Sequence, residues 1–237
     1  DQFAIEASDS MRIAYVITGA NDIDSVTRSG MIGLTNMLNQ RTAVEAGEPM
    51  GINLVTDELA FFALIYWPIT EEQPTPDGDT IAKLNRYLEN GGTILFDTRD
   101  QQFASGQFGA SSSALQRLTR GMNLPALEPI PPDHVLTKAF YLMQEFPGRW
   151  TGGRVWVERG DVRTNDGVSR VITGAHDWAA AWATDNAGRP IYPAVPGGER
   201  QREMAFRFGV NLVMYTLTGN YKSDQVHVPA ILERLGQ

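Results

Sequence analysis

The stretch YLENGGTILFDTRD, residues 87–100, reads as a helix end, a stop, a buried strand and a polar strand exit. Ile81, Leu84 and Leu88 share one side of a helix that Asp79 can cap, and Gly91 supplies its C′ residue. Thr93–Phe96 then forms a short apolar strand. Asp97, Arg99 and Asp100 follow it directly. In an open α/β sheet, ligands bind just beyond the carboxyl ends of strands, so these three residues mark the place to look for chemistry.

Working outward, the same alternation repeats. Arg12–Thr18 is a β-rich run followed by the turn cluster Gly19–Asp22. Val26, Gly30, Gly33, Leu34, Met37 and Leu38 then recur at helical spacing, with Asp22 or Asp24 as the expected N-cap. The two glycines lie on the apolar face, so they are read as packing positions that bring the helix close against a sheet. A phosphate loop is excluded because no G-x-G-x-x-G is present. Phe61–Trp67, ended by Pro68, is a continuous apolar run expected as a central strand. Ala114–Arg120 is the next helix, with Leu115 and Leu118 inward and Gly121 as its stop. This rhythm predicts an α/β fold, a mostly parallel sheet with helices on both faces.

The second half is less regular. Leu124–Pro132 carries four prolines and reads as an extended connection. Arg154–Glu158 and Ser169–Thr173 are expected as strands, in an antiparallel hairpin or extension, and Gly188–Gly198 as a surface loop. Arg200–Thr218 is the strongest helix, apolar on most sides, with Glu203, Arg207 and Asn211 on one stripe. The expected organisation is an extension over residues 1–10, one α/β domain over 11–221, and a tail over 222–237 with a short helix.

Composition removes several functional classes. A net charge of -8 argues against general nucleic-acid binding, which needs a basic surface. There is no cysteine, hence no disulfide, thiolate zinc site or cysteine nucleophile. The apolar runs Leu59–Ile69 and Met204–Leu217 are too short to span a bilayer. The opening DQFAIEASDS shows no signal peptide, and the chain reads as a piece of a longer or processed protein.

YLENGGTILFDTRD, DHVLTKAFYLMQEFPGRW, HDWAAAWA and RQREMAFRFGVNLVMYTLTGNYK together resemble the bacterial domain-of-unknown-function family 4159, from about Met11 onward. Proteins of that family often carry the domain after a membrane segment similar to aerotolerance (BatA-like) proteins. The resemblance thus implies the soluble portion of a bacterial inner-membrane protein, the periplasmic side favoured, with membrane contact only through segments outside this chain. More distantly, the helix–Gly-Gly–strand element and His134 are similar to the trehalose-utilisation (ThuA-like) and class I glutamine amidotransferase-like superfamily. That similarity implies a flavodoxin-like, three-layer α/β/α sandwich. Glutaminase chemistry is not expected, since the required Cys is absent and no G-x-S-x-G replaces it.

The candidate ligand-binding residues are Asp22, Asp97, Arg99, Asp100, His134, Arg149, His176, Asp177 and Trp178. Asp22 and Asp24 follow the first strand and should share an edge with Asp97 and Asp100; such oxygen clusters suit a hard cation or sugar hydroxyls, or simply cap helices. His134 and His176 follow extended segments and could face the same cleft, although no pair has metal-ligand spacing, so no metal or cofactor is expected. Arg149-Trp150 and Trp178 fit a glycan platform, whereas the spacing of Trp178 and Trp182, four apart among alanines, is that of core packing; core is the reading for Trp182, and both stay open for Trp178. Three functions follow: a non-catalytic domain binding a small molecule or glycan, a sugar-directed enzyme using Asp97, Asp100 and His134, and a structural module with a vestigial site.

Overall fold

The computed structural model describes residues 3, 5, 7, 9–101, 111–160 and 167–218. The expected tail helix at 222–237 and half of the 1–10 extension lie outside them. Five strands, β1 (Ala14–Val16), β2 (Met50–Ile52), β3 (Leu64–Pro68), β4 (Thr93–Asp97) and β7 (Val171–Gly174), pair in parallel in the order β2-β1-β3-β4-β7. This is the 2-1-3-4-5 order of flavodoxin-like sheets. An antiparallel pair, β5 (Leu127–Pro129) and β6 (Trp156–Glu158), extends the sheet beyond β7. β2 had no counterpart among the sequence expectations, and β5 falls inside the Pro-rich segment read as a connection. Pro129 is tolerated because β5 is an edge strand with a free side.

Helices cover both faces. α1 (Asn21–Arg41), α4 (Trp178–Trp182) and α5 (Gly198–Thr218) lie on one. There Met31, Leu34, Trp178, Trp182 and Phe208 pack against Tyr15, Tyr66, Leu95 and Ile172 of the strands. α2 (Gly78–Glu89) and α3 (Ser111–Leu118) lie on the other, where Leu84, Leu88 and Leu118 meet Ile65, Trp67, Ile94 and Phe96. Successive residues of β4 alternate between these two cores, as the pleat requires. Leu95 faces the α1/α4/α5 side, and Asp97, two residues on, is the last residue of the strand on that same side.

Local chemistry explains the element ends. The cap of α2 is Asp77, whose carboxylate accepts from the Thr80 N–H at 2.8 Å, and not Asp79 as expected. Gly91 follows that helix at φ 95°, the left-handed stop the sequence announces. Gly30 and Gly33 are packing positions, but their partner is α4 and not the sheet. A Cβ at Gly30 would stand 2.2 Å from the Ala179 carbonyl oxygen, and one at Gly33 2.0 Å from that of Trp182. The polar stripe of α5 begins at the surface, where Glu203 pairs with Arg41 and Arg207, and ends inside at fully buried Asn211. The Asn211 amide accepts from Phe140 and Tyr141 N–H and donates to the Leu136 and Tyr141 carbonyls, clamping that loop to the helix.

Candidate functional site at the carboxyl edge of the sheet

Asp97 closes β4 fully buried, so its carboxylate must find partners inside the protein. It finds four. Oδ2 accepts from the Tyr66 hydroxyl at 2.7 Å and the Trp178 N–H at 2.8 Å. Oδ1 accepts from the Arg99 N–H at 3.0 Å and the Asp177 N–H at 3.2 Å. The Ala179 N–H reaches the Tyr66 oxygen at 3.4 Å. The start of α4 is therefore capped by a strand carboxylate and a strand phenol rather than by its own N-cap side chain.

Arg99 and Asp177 are the two positive-φ non-glycine residues of the described chain, at φ 63° and 54°. Each costs about 1 kcal/mol or more of backbone strain, which the surroundings must offset. Asp97 Oδ1 holds both backbones. Their side chains also meet, Arg99 Nε lying 3.3 Å from Asp177 Oδ1, while Arg149 Nη1 stands 3.5 Å from Oδ2. Arg149 is in turn stacked on Trp150 and Tyr192, its guanidinium carbon 4.8 Å and 5.2 Å from the two ring centroids.

Burial, and next the neighbouring Asp177 charge, push the Asp97 carboxyl up to about 7, against the opposing pull of its donors and of Arg99. Asp177 is raised as well, by burial first, with Arg99 and Arg149 working against it. Tyr66 is driven well above its ordinary value by burial and then by Asp97. Beside them His176 stacks on Trp178 with ring centroids 4.6 Å apart. Its Nδ1 accepts from the Ala175 N–H and it hydrogen-bonds the Gly153 backbone, while burial lowers it to about 4. His176 is therefore neutral at ordinary pH. Three glycines enclose it: a Cβ at Gly148, Gly153 or Gly174 would come within 3.0 Å of His176 atoms.

Seven of the nine candidates thus converge: Asp97, Arg99, Asp100, Arg149, His176, Asp177 and Trp178. Asp100 accepts from the Thr98 hydroxyl at 2.7 Å, and its Oδ2 is buried without a partner, as are Arg149 Nε and Trp150 Nε1. Trp178 is fully buried in the core, with its indole N–H on the Phe146 carbonyl, so it presents no face to a sugar. Asp22 and His134 do not join the cluster. Asp22 is exposed in the first turn of α1, two strands away. Neither it nor Asp24 caps that helix; Asp24 takes the Thr18 and Gly19 N–H groups of the preceding turn. His134 accepts from the Leu136 N–H, and its ring packs 5.5 Å from Tyr215, whose hydroxyl bonds Gly167 and Ser169 before β7 begins. That is the opposite end of the strand from Asp97. Burial lowers His134 too, chiefly a packing effect. Among the described residues, no group of three or more His, Asp or Glu side chains could hold a metal ion.

Sequence reasoning missed Tyr66, which reads as one more apolar residue of its run, and, in the loop from Gln144 to Val155, everything but Arg149 and Trp150. With His176, that loop lines an open groove of ≈ 580 Å³ at this edge. The doublet Gly152-Gly153 is a further signal that the sequence carries there. A smaller cavity of ≈ 330 Å³ lies between α1 and α5, beside Gly33, Arg202 and Glu203. Its buried Arg202 is occupied by the carbonyls of Ala181 in α4 and of Tyr192 in the loop that follows.

The family model described as Domain of unknown function (DUF4159) matches residues 12–217, most of the chain. The chain belongs to this family. In this DUF4159 domain the match runs from the residue before Ile13, at the start of the β1 region, into the last turn of α5, and so includes every strand and the whole carboxyl-edge cluster. No curated protein matches the DUF4159 domain. No helix of its described residues is long and apolar enough to cross a membrane.

Proposed function

We propose that this DUF4159 domain is a non-catalytic ligand-binding domain, the soluble portion of a membrane-anchored bacterial protein with the periplasmic side favoured, and that its ligand occupies the groove beside His176. The observation that carries the reading is the complete occupation of Asp97. Asp97 is fully buried and its oxygens are engaged by four internal donors, so the carboxylate is not presented to a substrate in the groove. A sugar-directed enzyme would need a free acid there, and His134 stands too far along the strand to supply one. The groove, by contrast, is open and of ligand size.

Thermal-shift and calorimetric screening of sugars, amino acids, peptides and nucleosides against the purified chain tests this. At least one class should raise the melting temperature, and Thr151→Trp, which fills the groove from an exposed position, should abolish that rise without lowering the melting temperature of the free protein. Turnover of glycosides, amides or esters that disappears in Asp97→Asn would overturn the reading. A structural module is the second reading. It is favoured by the Arg99–Asp177–Arg149 contacts, in which each charge is answered from within the protein; a failure of every compound to bind would select it.

A further inference from the structure

The charge inventory of the groove narrows what it can hold. Ile130, Phe146 and Val155 supply apolar surface to its lining. His176 lines it too, but burial keeps that ring neutral. Only two ionised side chains remain on the lining, Glu145 and Arg154, one of each sign. Both are exposed, and neither forms an ion pair with the other or with another described residue. Elsewhere at this edge the cations are spoken for, since Arg99 and Arg149 share Asp177. Beside Arg154 the backbone is stripped of side chains at Gly152, where a Cβ would meet nothing within 4 Å, so a ligand can approach the main chain closely.

A polyanion such as a nucleotide would meet one cation and one repelling carboxylate on this surface. A wholly uncharged ligand would leave both charges without partners as it displaced their water, at a cost in affinity. The ligand that answers the lining carries one positive and one negative group. We propose that the groove binds a net-neutral ligand with a free amino and a free carboxylate group, of the short-peptide class, its ammonium beside Glu145 and its carboxylate beside Arg154. The assignment rests on the binding-domain reading and specifies its ligand. Arg is suited to the carboxylate end because its planar fork takes both oxygens at once.

Isothermal titration of the full chain with trialanine, N-acetyl-trialanine, trialanine amide and maltose tests the assignment. Trialanine should bind, and blocking either terminus should weaken it at least tenfold. Arg154→Ala should weaken trialanine by a similar factor and erase the difference between the acid and the amide. Glu145→Ala should do the same for the free and acetylated amino end. Both residues are exposed on a loop, so folding of the variants is checked by an unchanged melting temperature. Equal affinity for the free and blocked peptides, or no binding of trialanine, would overturn the assignment. If maltose or another screened compound binds where trialanine does not, the ligand class alone falls and the binding domain stands. If nothing in the wider screen binds, both fall together.

Discussion

Truncating Asp97 to Ala would strand the N–H groups of Arg99, Asp177 and Trp178 and the Tyr66 hydroxyl, all in a buried setting. Removing one partner from a buried network of this kind costs about 3–5 kcal/mol. Asp97→Asn keeps the shape and one acceptor oxygen but turns the other into a donor. The Tyr66 hydroxyl can rotate to accept from it, which leaves the Trp178 N–H as the main loss, about 1–3 kcal/mol. Urea unfolding should therefore rank the wild type above Asp97→Asn and Asp97→Ala lowest. Equal midpoints for all three would mean that the carboxylate does not organise the two left-handed turns. Arg99 and Asp177 were legible in the sequence as charged residues after strands. Their left-handed backbones were not, because nothing local in T-R-D or H-D-W requires positive φ. A tertiary acceptor imposes it.

At the scale of the element, the contact between α1 and α4 turns on two missing methyl groups. Helix propensity alone would make Gly33→Ala stabilising by about 1 kcal/mol. The Cβ would however sit 2.0 Å from the Trp182 carbonyl oxygen, which belongs to backbone and cannot swing aside. Overpacking of this kind costs about 1–3 kcal/mol or more, so sterics win and the variant should melt lower. Gly78→Ala is the contrasting case, in the first turn of α2 with open space around the new methyl. It should hold or slightly raise the midpoint, by about 0.4–1 kcal/mol. Calorimetric melting of the two variants checks both signs. The sequence places Gly30 and Gly33 on an apolar face at helical spacing, and that much is legible. Their partner is not, since α4 is a five-residue Ala-rich helix almost 150 residues later, brought there by the pairing of β4 with β7.

Over the whole molecule, two buried groups give stability opposite dependences on pH. His176, lowered to about 4, binds fewer protons folded than unfolded, so its contribution is lost as pH falls from about 6.5 to 4, by about 3 kcal/mol at most. Asp97, raised to about 7, binds more protons folded than unfolded. Its contribution is therefore lost as pH rises from about 4 to 7, by about 4 kcal/mol at most. In the wild type the two slopes offset one another between about pH 4 and 6.5. His176→Gln should unmask the Asp97 slope, so that its stability relative to wild type declines as pH rises; Asp97→Asn should show the reverse. Urea midpoints from pH 4.5 to 7.5 read this directly, and identical slopes in all three proteins would refute it. The parallel α/β class was legible from strand–helix alternation, and six of the seven converging candidates from their places after strands; Arg149 was legible only through its aromatic neighbour Trp150. The antiparallel pairing of β6 with β7 was legible as well, from the runs at Arg154–Glu158 and Ser169–Thr173, whereas β5 was hidden by the prolines of its segment. Asp22 does stand on the same edge as Asp97, but two strands away; His134 was misplaced because following an extended segment fixes the neighbourhood of a residue along the chain, while its neighbours in space depend on how the next loop turns back.

The glycine cage around His176 has a practical consequence. A buried ring packed against Gly153 and Gly174, and hydrogen-bonded to the Gly153 backbone, gives a nitrogen-bound proton that exchanges slowly with solvent. With only three histidines in the chain, that proton stands nearly alone in the downfield region of a proton spectrum. His176 lines the groove and stacks on Trp178, next in the chain to the Asp177 that Asp97 holds. One resonance would thus register occupancy of the groove and the integrity of the buried carboxylate network together, without any label being introduced.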